Sequence, residues 1–204
     1  MMPSNAAPSR RSFLHYATAT MGAGAVVAAA WPLVDQLNPD AHVRALDDSI
    51  SVTVGDLSPG EDKIQRWRHM PIVVVRRTED MLVAMRDPTF LSKIFDPQSR
   101  RRQQPDYARN WHRSVRAEYG VMSGICAHCN CVLRRAGDGG PPDPPAHFIC
   151  PCCASRYDSA GYGFHGPTRF NLAVPPYVFS NAATILLGKN PPGEFFNFAF
   201  IERS

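Results

Sequence analysis

The chain's six cysteines all crowd into two short stretches, Cys126-Ala127-His128-Cys129-Asn130-Cys131 and Cys150-Pro151-Cys152-Cys153-Ala154-Ser155. Thiolate sulfurs with an imidazole one residue away form a ligand set for iron or zinc, because soft sulfur and borderline nitrogen suit those metals. Six cysteines paired only as disulfides is the weaker reading, since Cys152 and Cys153 are neighbours and serve better as ligands than as separate staples. Thiol–disulfide exchange is also disfavoured. Adjacent thiols are present at Cys150 to Cys153, but no thioredoxin-like βαβ pattern surrounds them.

Two loops must be held face to face by something, and the rest of the chain reads as short strands. Its 204 residues suffice for one core domain with an appendage. Ser49 to Val54 alternates, Ile72 to Val75 is a β-branched run, and Tyr119 to Met122 leads as a strand into the first cysteine loop. Phe148-Ile149 leads into the second. Asn171 to Val174 reads as a further strand, Tyr177 to Ser180 and Thr184 to Leu187 as a hairpin around Asn181-Ala182-Ala183, and Glu194 to Ile201 as a closing strand. Phe195, Phe196, Phe198 and Phe200 are then core and face residues of that strand. Glu79 to Arg86 forms one short helix with Thr78 as N-cap, and Phe90 to Trp111 is a proline-broken, irregular excursion. Frequent proline and many short strands imply a small antiparallel sandwich or barrel.

The formal net charge of +4 is mild and includes no long basic block. Arg100-Arg101-Arg102 reads as a solvated loop, which argues against a nucleic-acid partner. His147 reads as a strand-entry residue and His165 as a solvent-facing loop residue. His15, His42, His69 and His112 lack ligand spacing.

Ser9-Arg10-Arg11-Ser12-Phe13-Leu14 resembles a twin-arginine export signal, and a small-residue apolar run from Ala17 to Leu37 follows. That route carries folded proteins, as a cofactor inserted before export requires. The run is about 21 residues, or roughly 31 Å as a helix, enough to cross a bilayer. Arg10 and Arg11 hold the N-terminus in the cytoplasm, so the remainder faces the periplasm. Ala28-Ala29-Ala30 offers a cleavage site, but retention as an anchor is the preferred reading. Asn38 to Leu46 reads as a tether.

Loops, anchor and tether together resemble the Rieske iron–sulfur subunit of ubiquinol–cytochrome c reductase, the cytochrome bc complex. That family's loops read Cys-Thr-His-Leu-Gly-Cys and Cys-Pro-Cys-His-Gly-Ser. Trp67 to Thr78, Ser155 to Gly161, Gly166-Pro167 and Asn171 to Tyr177 match as well, so the resemblance covers nearly the whole chain. It implies a mainly β chain: a Rieske-like antiparallel β-sandwich head with a cluster-binding subdomain, plus one N-terminal transmembrane helix. The divisions are 1–37 (signal and anchor), 38–46 (flexible neck) and 47–204 (head), with the cluster loops at 124–167.

By the same resemblance, Cys126 and Cys150 are thiolates on one iron of a [2Fe–2S] cluster, and His128 is an imidazole ligand of the other. Cys131 and Cys152 match the disulfide between the loops. Ser155 and Tyr157 match hydroxyls that donate to cluster sulfurs, and Gly166-Pro167 matches the loop that shields the cluster. The implied activity is that of a quinol–cytochrome c reductase subunit. It would pass electrons from ubiquinol, at cytochrome b, to a c-type cytochrome, with His128 as the proton-coupled contact. The implied place is a bacterial inner membrane, single-pass, with a periplasmic head in a dimeric complex. A Rieske oxygenase is disfavoured, as no separate domain would house a catalytic iron.

The departures fall on the chemistry. Cys153 stands where the second imidazole ligand belongs, Cys129 replaces the shielding leucine, and Asn130 and Ala154 replace glycines. If Cys153 binds as a third thiolate, the cluster gains one negative charge and its potential falls. A bound thiolate also lacks the second nitrogen through which an imidazole takes up a proton. The substitutions create a second pattern, Cys126-x-x-Cys129, twenty residues, then Cys150-x-x-Cys153, which resembles a zinc ribbon or a rubredoxin-like iron site. The alternative reading is thus an exported, membrane-anchored module with zinc or a single iron on a Rieske scaffold, without quinol oxidation. The surrounding sequence favours the [2Fe–2S] reading, with Cys126, His128, Cys150 and Cys153 as ligands.

Overall fold

The computed structural model describes residues 9–38, 49–137 and 146–202, so the expected neck lies almost wholly outside the described residues. The chain divides into two units, Met1–Leu46 and Asp47–Ser204.

The described residues of the first unit form one helix, α1 (Arg10–Asp35). It starts earlier than the apolar run because Ser9 caps it, accepting from the Ser12 backbone N–H at 3.2 Å. Its 26 residues are apolar enough to cross a membrane. The hydroxyls of Thr18 and Thr20 bond back to the carbonyls of Leu14 (2.7 Å) and Tyr16 (3.0 Å), which spares them a partner in an apolar medium.

The described residues of the second unit form three antiparallel sheets. One orders β1 (Ile50–Thr53), β10 (Thr184–Leu187) and β9 (Tyr177–Phe179), with Val52 opposite Ile185. The second orders β2 (Asp62–Trp67), β3 (Met70–Arg76) and β4 (Tyr119–Ser123), with Val74 opposite Val121. The third comprises β5 (Arg134–Arg135), β6 (Phe148–Ile149), β7 (Arg156–Tyr157) and β8 (Gly163–His165).

Strand β3 decides where the site sits. Side chains alternate across a strand, and here both faces are buried. Ile72 and Val74 enter a core with Trp67, Tyr119, Val121, Tyr177 and Leu187. Val73 and Val75 enter another with Met122, Cys126, Cys150, Tyr157 and Leu172. A continuous β-branched run is what a two-sided strand requires, and one strand thereby packs on the β1-β10-β9 sheet with one face and on the cysteine loops with the other. Each such side chain contributes about 1.5–3 kcal/mol through burial.

The excursion after β3 holds two short helices, α2 (Glu79–Ala84), capped as expected by Thr78, and α3 (Pro88–Leu91). Two fully buried guanidinium groups pin it down. Arg77 donates to Ala117 O (2.7 Å), Ser114 Oγ (3.1 Å) and Ser159 O (3.2 Å). Arg113 donates to Gln104 Oε1 and Leu172 O (2.8 Å each) and Ala160 O (3.1 Å). Burial pulls both guanidinium groups down to about 10, with Asp158 as their nearby anion.

Two expected strands are absent. Asn171 to Val174 is buried but pairs piecemeal, Leu172 N–H to Gly161 O and Val174 N–H to Gln103 O, so no ladder forms. Glu194 to Ile201 is irregular and ends in a 3-10 turn at Phe198–Phe200, with Asn197 capping Ala199. Asn190 brackets Phe196 through both its backbone groups. The alternation of phenylalanines does report burial: Phe196 and Phe198 are inside, whereas Phe195 and Phe200 are exposed. His165 is exposed as expected but lies on β8, and Arg100 to Arg102 is solvent-facing. His147 is buried and bonds Asp62 Oδ1 at 3.0 Å.

Candidate metal centre

Strands β4 and β6 each run straight into a cysteine turn, and the two turns have one backbone design. In the first, Cys126 N–H donates to Cys131 O (2.8 Å) and Asn130 N–H donates to Cys126 O (3.1 Å). In the second, Cys150 N–H donates to Ser155 O (2.9 Å) and Ala154 N–H donates to Cys150 O (3.0 Å). The fifth residue of each is left-handed, Asn130 at φ 58° and Ala154 at φ 57°. That conformation suits Asn and strains Ala.

Such a turn aims its first and fourth side chains the same way, and the two turns face each other. The Sγ atoms of Cys126, Cys129, Cys150 and Cys153 all lie within 4.8 Å of one another. Cys129 and Cys150 are 3.3 Å apart, and Cys153 stands 3.6 Å from both Cys126 and Cys129. Cys126 and Cys150 are buried, while Cys129 and Cys153 are part-exposed, so one edge of the group faces solvent. Cys131 and Cys152 form a disulfide that clamps the turns together.

Hydroxyl donors complete the surroundings. Ser155 Oγ is 3.1 Å from Cys153 Sγ, and Tyr157 Oη is 3.4 Å from Cys126 Sγ while accepting from Ala127 N–H at 3.2 Å. Burial pushes the Cys150 thiol up to about 12. At Cys153 burial acts in the same direction, but the Ser155 hydroxyl and backbone N–H and the neighbouring thiols outweigh it and bring that thiol down to about 6. Burial raises the Tyr157 phenol, so it stays protonated as a donor. Gly166, at φ 94°, lies against Ser155, and a Cβ there would meet Ser155 Cα at 2.6 Å. The Gly166-Pro167 corner can therefore pack on the second turn.

Of the residues expected from the sequence, Cys126, Cys150, Cys153, Ser155 and Tyr157 converge on one spot. His128 is exposed and lies outside the sulfur group. Cys129, absent from the ligand set that the resemblance implies, is inside it. Its signal was the Cys-x-x-Cys spacing.

The donor set tests what the site can hold. With metal–sulfur bonds of about 2.3 Å, four sulfurs around one tetrahedral ion have edges of about 3.8 Å. The three separations above, 3.3 Å and twice 3.6 Å, lie a little below that figure, and all pairs stay within 4.8 Å. Two irons joined by sulfide bridges need ligand pairs at opposite ends of the cluster, farther apart than two ligands of one ion. The described sulfurs fit a single ion and do not fit the two-thiolate, two-imidazole arrangement of a Rieske cluster.

Fold and site together define a β head that gathers four cysteine sulfurs able to hold a metal, in a chain with a helix long and apolar enough to cross a membrane. Residues 1–40 match the family described as "Ubiquitinol-cytochrome C reductase Fe-S subunit TAT signal". The chain is 38% identical over 180 residues (88% of this chain, 92% of the relative) to the ubiquinol-cytochrome c reductase iron-sulfur subunit of Rhodospirillum rubrum. It is also 38% identical to those of Allochromatium vinosum (89% of each chain) and Cereibacter sphaeroides (89% of this chain, 96% of that one). A chain of a hyperthermophilic respiratory Complex III aligns at TM-score 0.49 and 16% identity, covering 84% of this chain and 98% of that one. The chain belongs to the family of ubiquinol–cytochrome c reductase iron–sulfur subunits.

Proposed function

We propose that this chain is the electron-carrying subunit of a quinol–cytochrome c reductase. In this role it takes single electrons from membrane ubiquinol beside cytochrome b and delivers them to a c-type cytochrome. The observation that carries the reading is the half-exposed sulfur group at the tips of two clamped turns, in a chain 38% identical to subunits so named. A metal held there supplies one-electron redox chemistry.

The chain's own residues do the rest. Cys126 and Cys150 fix the buried side of the centre, and Cys129 and Cys153 expose its other edge to a partner. Ser155 and Tyr157 donate toward sulfur, which favours the reduced, more negative state and raises the potential. His128, exposed on the first turn, is the group that accepts a proton from a quinol hydroxyl. Helix α1 anchors the chain in a bacterial inner membrane, the neck tethers a periplasmic head, and the subunit works in a dimeric complex. A second reading, a four-cysteine module without quinol oxidation, is favoured by the position of His128 outside the sulfur group.

The test is redox spectroscopy on the complex purified from native membranes through a tag on this chain. Cytochrome b is expected to co-purify, and quinol should reduce the centre, which ferricytochrome c then reoxidises. A centre inert to quinol and to dithionite, or a preparation lacking cytochrome b, would exclude the reading.

A further inference from the structure

The two cysteine departures from the family pattern, Cys129 and Cys153, are a matched pair. Cys129 and Cys153 occupy the same place, the fourth residue, in two turns with the same hydrogen bonds and the same left-handed fifth residue. The backbone N–H two residues later acts on each sulfur, from Cys131 on Cys129 and from Ser155 on Cys153. Cysteine at only one of these places would leave three sulfurs and an incomplete shell. Cysteine at both supplies a fourth sulfur to a group that the chain already gathers within 4.8 Å, with separations of 3.3 Å and 3.6 Å among them.

We propose that Cys126, Cys129, Cys150 and Cys153 hold one tetrahedrally coordinated metal ion, with His128 outside the coordination shell and no bridging sulfide. Four sulfur ligands select zinc or iron. Tetrahedral metals bind ligands related by this geometry without demanding room for a second ion, and the group's 4.8 Å limit offers none. The Cys131–Cys152 disulfide keeps the two remaining cysteines out of the ligand set. An iron in this shell is still an iron–sulfur centre, so the inference deepens the electron-carrier reading and rests on it only for the choice of iron over zinc. His128 is thereby released from ligation to serve at the surface.

The deciding experiment measures metal and acid-labile sulfide per chain in the full-length protein, isolated anaerobically from its own membranes. One iron without sulfide, with the magnetic resonance signal of a high-spin ferric ion, is expected. One zinc without sulfide would uphold the four-cysteine shell and end the electron-carrier reading. Iron and sulfide in two-to-two ratio, with the signal of a reduced binuclear cluster, would overturn the shell and leave the electron carrier intact. A chain without metal would overturn both. Ligand identity is checked with His128→Leu, which should keep its metal, and Cys129→Leu, which should lose most of it. The opposite pattern would refute the assignment. If Cys129→Leu fails to fold, the wild-type stoichiometry and His128→Leu still decide.

Discussion

Ala154 is the least comfortable residue of the site. It sits at φ 57° at the end of the second turn, where an L side chain costs roughly 1–2 kcal/mol. Asn130 fills the equivalent place in the first turn at φ 58°, where a short polar side chain is tolerated. Ala154→Gly should therefore stabilise the head by roughly 0.5–1 kcal/mol, less the backbone freedom glycine gains on unfolding. A denaturant midpoint that falls would show that the strain is absent. Neighbouring Ser155 and Tyr157 act differently. Their hydroxyls face Cys153 and Cys126, so removing them should disturb the potential more than the fold.

At the scale of elements, the two turns are clamped by one covalent bond and one shared strand. The Cys131–Cys152 disulfide closes a loop of 21 residues. Closing a loop of that size is worth about 3 kcal/mol, chiefly by restricting the unfolded chain. Replacing both cysteines with alanine should lower the unfolding free energy by about that amount and loosen metal retention. Urea titration with parallel metal analysis reads both. An unchanged midpoint would mean that Val73 and Val75 of β3, with Met122 and Leu172 behind them, hold the turns unaided. The buried Arg77 and Arg113 serve the same end, since they tie the carbonyls at 159, 160 and 172 to the excursion after β3.

For the whole molecule, the question is which side of a membrane the head reaches. Arg10 and Arg11 open α1 and fall within the stretch matching the export-signal family. Replacing both with lysine keeps the charge and the helix but removes the paired guanidinium groups of the motif. The head should then remain in the cytoplasm, shielded from protease added to spheroplasts, whereas the unaltered head is expected to be digested. Equal digestion of both would place export under some other signal. Retention of the metal centre in the trapped head would further show that assembly precedes export.

Local chemistry determined much of this protein. Cys-x-x-Cys spacing, the capped helix at Thr78, the β-branched run of β3 and the apolar N-terminal helix are short-range patterns, and each stands in the structure as the residues imply. Only tertiary structure could separate His128 from Cys129, which are adjacent in sequence: the turn brings the Cys129 sulfur into the group of four and leaves His128 exposed outside it. It also decided the fate of Glu194 to Ile201, whose alternation is that of a strand. With Asn190 and Asn197 taking up its backbone groups, the segment finds no neighbour to pair with. Strands require partners that sequence does not name, and sulfurs become a site only when two distant turns are brought within bonding reach of one ion.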